Sequence, residues 1–174
     1  MTNIIFLFGT IAGLIVIGTM IAVIVASGGS HENSSVWLGY LTMIVALSMI
    51  FFGVKRYRDR ELGGVIKFLP ALFMGLAISV VAGVIYVLVW EAYMAGTNHA
   101  FFDAYMNSYI EQQKAAGVTG AALEKIISEM NVMKVQYADP LFRLPMTFME
   151  IFPVGVIISL ISAAVLRNSK VLPA

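Results

Sequence analysis

The sequence contains no cysteine and carries little charge, and both absences narrow what it can be. Without cysteine, the chain has neither disulfides nor thiolate metal sites. Charged residues make up 12% of its 174 residues, whereas about a quarter of a soluble domain is charged. Hydrophobic residues make up 60%, so lipid rather than water must solvate most of the surface. The composition predicts an integral membrane protein.

Signatures of catalysis are missing as well. The sequence has no GxSxG or HExxH pattern, no phosphate-binding loop and no nucleic-acid-binding signature. Its two histidines, His31 and His99, lie in polar segments without an acidic cluster at metal-ligand spacing. We therefore predict that the protein is not an enzyme, has no metal or other cofactor and binds no nucleic acid.

Four apolar runs are long enough to cross a bilayer as helices. They cover residues 4–26, 37–54, 68–93 and 144–166 of a single membrane domain, 1–174. The first run follows only Met-Thr-Asn, without a basic segment, so a spanning helix is favoured over the alternative of a cleaved signal peptide. The sequence predicts an all-α integral membrane protein built as a four-helix transmembrane bundle.

Small residues recur at helical spacing along the spans. The third span carries Ala71, Gly75, Ser79 and Gly83 on one stripe, and the fourth carries Gly155, Ser159 and Ala163. Matching stripes of small residues let two helices approach closely, so we expect spans three and four to pack together. In the first span, Gly9 and Gly13 form a GxxxG pair, which is either a packing motif or incidental.

The polar region between the last two spans, about residues 98–139, contains two helical patterns. They cover 100–116 and 120–138, with Gly117 as a C-terminal stop, Thr119 as an N-cap and Asp139-Pro140 at the end. The sequence predicts a helical hairpin. Its apolar stripes pack on each other, lie along the membrane surface or meet a partner, and mutual packing is the preferred interpretation.

Basic residues are unevenly distributed, and this predicts the orientation of the chain. With four spans, one side of the membrane holds Lys55, Arg56, Arg58, Arg60, Lys67, Arg167 and Lys170, and the other holds Lys114, Lys125, Lys134 and Arg143. The positive-inside rule then places both termini in the cytoplasm and the hairpin outside it. The basic run at 55–61 is either a topological anchor, which we prefer, or a patch for anionic lipid head groups.

Depth along the helices predicts one ion pair. Glu91 lies 24 residues from Lys67, and Arg143 lies 24 residues from Arg167. At about 1.5 Å per residue, both side chains lie roughly 36 Å from these inner ends, just beyond a hydrocarbon core of about 30 Å. Because they share one level on adjacent antiparallel helices, we expect Glu91 and Arg143 to pair.

A single carboxylate, Glu150, lies inside the fourth span, 17 residues from Arg167. An ionisable residue within the hydrocarbon is expensive and marks a candidate site. Its expected partners are Tyr86 and Trp90 of span three or Tyr40 of span two. Glu150 is either a hydrogen-bonded contact that holds helices together, which we prefer, or a proton or cation site.

Several segments resemble one known family. They are the YRD…GG pattern at 57–64, VIYVLVWE at 84–91, DPLFR at 139–143 and TFMEIFPVG at 147–155. The chain from about Trp37 to Leu166 resembles a family of small bacterial inner-membrane proteins, domain of unknown function 4199. The resemblance implies four spans and an extracytoplasmic helical insertion before the last one, and it implies no activity, cofactor or catalytic residue.

Two hypotheses for function follow. The first is a non-catalytic membrane scaffold or accessory subunit that contacts the lipid bilayer and either a second copy of itself or a partner membrane protein. The second is an oligomeric proton- or cation-coupled transporter that uses Glu150. Transport requires access to Glu150 from both sides in alternation, and no second charge within the spans offers a route, so the first is preferred.

Overall fold

The computed structural model describes residues 1–26, 36–97 and 100–173, and they form an all-helical fold. In chain order the helices are α1 (Thr2–Ala26), α2 (Val36–Leu47), α3 (Met49–Glu61), α4 (Phe68–Gly96), α5 (Ala100–Ala115), α6 (Gly120–Ala138) and α7 (Pro140–Leu166). No strand occurs within the described ranges. The predicted fold class is confirmed.

Four segments are long and apolar enough to cross a membrane, so the chain is a multi-pass membrane protein. They are Thr2–Ala26, Gly39–Glu61, Phe68–Gly96 and Pro140–Leu166. The fourth begins four residues before the predicted bound. Proline is well suited to the first turn of a helix, and the Asp139 side chain caps that turn by accepting a hydrogen bond from the Leu141 N–H at 2.9 Å.

The second span differs most from its prediction, because it consists of two helices and ends seven residues later. α2 and α3 meet at Ser48, whose hydroxyl donates to the Val45 carbonyl at 2.6 Å. The polar run that we expected after the span is helical and completes α3. Within it, Lys55 pairs with Asp59 one turn further on, which is a stabilising arrangement on a helix surface.

The helices α4 and α7 pack through their small residues, as the two stripes predict. A Cβ atom added to Gly75 would lie 2.9 Å from the Cβ of Ser159, and one added to Gly155 would lie 2.6 Å from the Oγ of Ser79. The two serine hydroxyls lie 3.3 Å apart. Side chains larger than these would force the backbones apart, so the stripes position α4 against α7.

The GxxxG pair in α1 is also a packing motif. A Cβ atom added to Gly9 would lie 2.6 Å from the Val81 side chain. One added to Gly13 would lie 2.6 Å from the Ala82 carbonyl oxygen. Both glycines are buried. Therefore α1 packs closely on α4, which lies between α1 and α7.

Residues 116–119 connect α5 and α6. Gly117 has a φ of 86° and ends α5 as predicted. Its N–H donates to the Lys114 carbonyl, and the Val118 N–H donates to the Gln113 carbonyl. Thr119 occupies the N-cap position of α6, but its side chain makes no capping hydrogen bond. The next residue, Gly120, has a left-handed conformation, with a φ of 60°.

The helices α5 and α6 contact each other near the bundle. The rings of Phe102 and Tyr137 stack at 4.8 Å, and Lys134 pairs with Asp103. No residue of α6 is fully buried, so its apolar stripe is only partly covered. The side of the membrane on which the two helices lie stays a prediction.

Candidate functional site

An ion pair between α4 and α7 forms the outer part of the candidate site. Arg143 donates through Nε and Nη2 to the two carboxylate oxygens of Glu91, each at 2.6 Å. The Arg143 side chain is 5% exposed and that of Glu91 26%. The third nitrogen, Nη1, donates to the Tyr137 carbonyl at 2.9 Å. A paired arginine–carboxylate contact of this kind is strong and directional, so it fixes the register of α7 on α4.

Aromatic residues cover this ion pair. Trp90 is buried and donates its indole N–H to the Tyr137 hydroxyl at 2.8 Å. The Tyr137 ring lies 5.8 Å from the guanidinium carbon of Arg143, within the range of a cation–π contact. Burial raises the pKa of the Tyr137 hydroxyl, so it stays a neutral phenol at pH 7. The cluster joins α4, α6 and α7 at one end of the bundle.

Glu150 lies deeper in α7 and forms the inner part of the site. The hydroxyl of Tyr86 lies 3.1 Å from Oε2 of Glu150 and 3.1 Å from the sulfur of Met20. Tyr86 is 1% exposed, whereas Glu150 lies at the exposed edge of the buried face of α7. The carboxylate therefore reaches inward to a buried phenol and leaves its other side at the bundle surface.

Only one of the three expected partners of Glu150 is correct. Trp90 donates to Tyr137 instead, and the half-exposed Tyr40 makes no hydrogen bond to Glu150 within the described residues. The Glu91–Arg143 pair explains the difference, because it sets the register of the antiparallel helices. Counted from that pair, Glu150 lies within about 3 Å of the level of Tyr86, and Trp90 lies about 9 Å further out.

The chemistry available at this site is limited. A carboxyl group and a phenol can share a hydrogen bond, and a carboxyl group can carry a proton. No cation contacts Glu150 within the part of the chain that the structure describes. In the same ranges, no three histidine, aspartate or glutamate side chains lie close enough together to hold a metal ion.

Comparison with known protein families shows which family the chain belongs to. Residues 7–168 match the family described as Protein of unknown function (DUF4199). The chain belongs to this family. No curated protein and no solved structure matches it. The DUF4199 match extends further than the resemblance seen in the sequence, because it includes most of α1 and the two residues that follow α7. Membership supplies the shared architecture but no activity.

Two histidines and one acidic residue of this DUF4199 chain cannot be placed. His31, Glu32 and His99 lie outside the described residues.

One buried residue of this DUF4199 chain was missed by sequence reasoning. Arg58 is 0% exposed, although it lies in the basic run interpreted as an anchor or lipid patch. Its guanidinium donates to the carbonyls of Val171 at 3.0 Å and Leu172 at 2.5 Å, and to Asp59 at 2.6 Å. It therefore holds the segment after α7 against the end of α3.

A signal for this burial does exist in the sequence. The buried residues Leu47, Ile50 and Val54 repeat at intervals of three and four, and Arg58 is the next position on that stripe. A charged residue on the buried face of a helix indicates a partner. One partner is the adjacent Asp59, and the others are carbonyl groups, which no side-chain pattern reveals.

Proposed function

We propose that this protein is a non-catalytic scaffold or accessory subunit of the bacterial inner membrane. The observation that carries the proposal is that three pairs of polar side chains join two spans inside a single bundle. Glu91 pairs with Arg143, Glu150 with Tyr86 and Ser79 with Ser159. Each contact joins α4 to α7, so these groups hold the two helices together.

The small-residue stripes support the same proposal. Gly9 and Gly13 of α1, like Gly75 and Gly155, face neighbouring helices of the same bundle. These close contacts are therefore not free to receive another membrane helix. The helices α5 and α6 are not among the four candidate spans, and Val132 and Val135 of α6 are exposed. We propose this pair of helices as the part that contacts a second copy or a partner membrane protein.

The orientation is part of the proposal. The end of α3 meets the segment after α7 through Arg58, and the amino group of Met1 pairs with Glu61 at 2.7 Å. Both termini and the basic run are thus at one end of the bundle. Lysine and arginine are concentrated on the cytoplasmic side of inner-membrane proteins. We therefore place that end in the cytoplasm, and α5 and α6 on the other side.

Ion-coupled transport through Glu150 is the alternative, and the contacts do not favour it. A carrier needs its ionisable residue to exchange with water on each side in turn. Glu150 is bonded to Tyr86, whose hydroxyl also contacts Met20 of α1. Movement of Glu150 would have to break this junction of three helices.

Photo-crosslinking in producing cells tests the proposal. A photoreactive residue is placed at Val135 on α6, or at Val84 on α4 as a matched control, because both valines are exposed in the single chain. We expect a discrete crosslinked protein, either a dimer or a heterologous complex, from position 135 and none from position 84. Absence of any crosslink from α5 and α6, with the purified protein monomeric, would contradict the proposal.

A further inference from the structure

The end of the bundle that carries the basic run has more cationic side chains than its acidic residues can neutralise. Asp59 is bound by Lys55 and Arg58, and Glu61 by the amino group of Met1. The exposed basic residues at this end that make no ion pair within the described residues are Arg56, Arg60, Lys67, Arg167 and Lys170. The uncompensated charge is therefore on the surface and open to an anion.

Two of these cations belong to one stripe of α3. Phe52, Arg56 and Arg60 follow each other at intervals of four and are all exposed. Side chains four apart lie on one face of a helix with Cβ atoms about 5–6 Å apart. Both guanidinium groups can therefore reach one anion, and Phe52 lies one helical turn before Arg56, toward the hydrocarbon.

The depth of the stripe is fixed by its neighbour Arg58. Arg58 Nη1 lies 3.5 Å from the carbonyl oxygen of Leu166, the last residue of α7. Arg56 and Arg60 are two residues to either side of Arg58, so they lie within about 3 Å of this level along the helix axis. The apolar part of span four ends there. The two guanidinium groups are thus at the depth of lipid head groups, and Phe52 is at the depth of acyl chains.

We propose that the stripe Phe52–Arg56–Arg60 binds an anionic phospholipid. The two arginines hold the phosphate, for which guanidinium groups are suited by charge and geometry, and an acyl chain lies along Phe52. A free phosphate shares the head-group chemistry, but the apolar continuation of the stripe favours the lipid. The site is more specific than a topological anchor, since an anchor requires only that basic residues lie on one side.

Lipid binding to the purified full-length chain tests the proposal by native mass spectrometry in a neutral detergent. The probes are dioleoyl-phosphatidylglycerol and dioleoyl-phosphatidylcholine, which differ in head-group charge but not in acyl chains. We expect tenfold or stronger preference for phosphatidylglycerol. Arg56→Gln with Arg60→Gln should weaken the binding of phosphatidylglycerol by about fivefold for each cation removed. The binding of phosphatidylcholine should not change. Phe52→Ala should weaken the binding of both lipids by a similar factor.

The matched control is Arg167→Gln with Lys170→Gln, which removes the same charge from the same end of the bundle. We expect a clearly smaller loss than for the α3 pair. Equal losses would mean a diffuse attraction, equal affinity for the two lipids would mean no head-group recognition, and either result overturns the proposal. Displacement of phosphatidylglycerol by glycerol phosphate at comparable concentration would also overturn it, in favour of a small-anion site. Retained helical content and melting temperature show that each variant is folded.

Discussion

Arg143 binds Glu91 through two parallel hydrogen bonds of 2.6 Å, and the arginine is almost completely buried. This pair is the point from which the register of α4 and α7 can be counted. An ion pair at head-group level that is in contact with water contributes on the order of 1 kcal/mol or less to stability. Because this pair is largely buried, we expect the loss of one partner to cost more. A buried pair with good geometry leaves a costly unpaired charge when one partner is removed.

The first prediction is that Glu91→Ala and Arg143→Ala are strongly non-additive. We expect a coupling energy of about 1–3 kcal/mol in the free energy of unfolding in detergent, because each single change leaves the other charge without its partner. Lys125 and Glu129 provide the control pair, since they are 3.8 Å apart and both well exposed. Their coupling should be near zero. Additive effects at Glu91 and Arg143 would show that the two side chains do not meet.

The second prediction concerns the contact of α4 with α7. Gly75→Ala places a methyl group 2.9 Å from the Cβ of Ser159, so the helices must separate, at a cost of about 1–3 kcal/mol. Gly18→Ala is the control, because nothing lies within 4 Å of an added Cβ there. Adding Ser159→Gly to Gly75→Ala should recover part of the loss. Equal stability of the two alanine variants would contradict this packing.

Some features of this structure can be predicted from the order of residues alone, whereas others also depend on how the helices are aligned with one another. The number of spans and the small-residue stripes follow from the order of residues along the chain, and so does the level of Glu91 and Arg143. The partners of Glu150 also require the register between helices. Sequence reasoning therefore names Tyr86 together with Trp90 and Tyr40, although neither of those two hydrogen-bonds to the carboxylate within the described residues.

Arg58 could not be identified for a different reason. Apart from the adjacent Asp59, its partners are the backbone carbonyls of Leu166, Val171 and Leu172, and every residue type carries a carbonyl. The sequence could show that a charged residue continues a buried stripe. It could not show that the segment after α7 folds back to meet it.

The third prediction follows from this contact. Arg58→Lys keeps the charge, but one ammonium group cannot replace a guanidinium that donates to Asp59 and to several carbonyls. We expect the amide protons of Lys170 and Val171, which are hydrogen bonded to Asn168, to exchange about tenfold faster or more. Arg60→Lys is the control, since Arg60 is exposed and should leave the exchange rates unchanged. The same rates in both variants would mean that Arg58 does not hold this segment.

The fourth prediction is the topology. A reporter that is active only in the cytoplasm should work when fused to the C-terminus and should fail when inserted at Gly117, between α5 and α6. The reason is that the basic end of the bundle faces the cytoplasm by the positive-inside rule. An insertion at Leu62 on that end serves as the positive control. Cytoplasmic activity at Gly117 would invalidate the proposed orientation.

The last prediction separates the two proposed roles of Glu150. Glu150→Gln keeps the size and an acceptor oxygen for the Tyr86 hydroxyl, so a structural contact predicts a variant as stable as the parent. Glu150→Leu removes the acceptor and should cost about 0.5–2 kcal/mol, the range found for polar contacts between membrane helices. Tyr86→Phe should cost a similar amount, and combining it with Glu150→Leu should add little.

Ion flux in proteoliposomes completes this test of Glu150. If Glu150 carries a proton or cation, the parent should show a flux that Glu150→Gln abolishes while the protein remains folded, because an amide cannot take up or release a proton at neutral pH. If Glu150 only holds helices together, there is no such flux to lose, and the effect of each variant is on stability alone. Since Glu150 bonds to Tyr86, whose hydroxyl also contacts Met20 of α1, we expect the glutamine variant to match the parent and the leucine variant to unfold first.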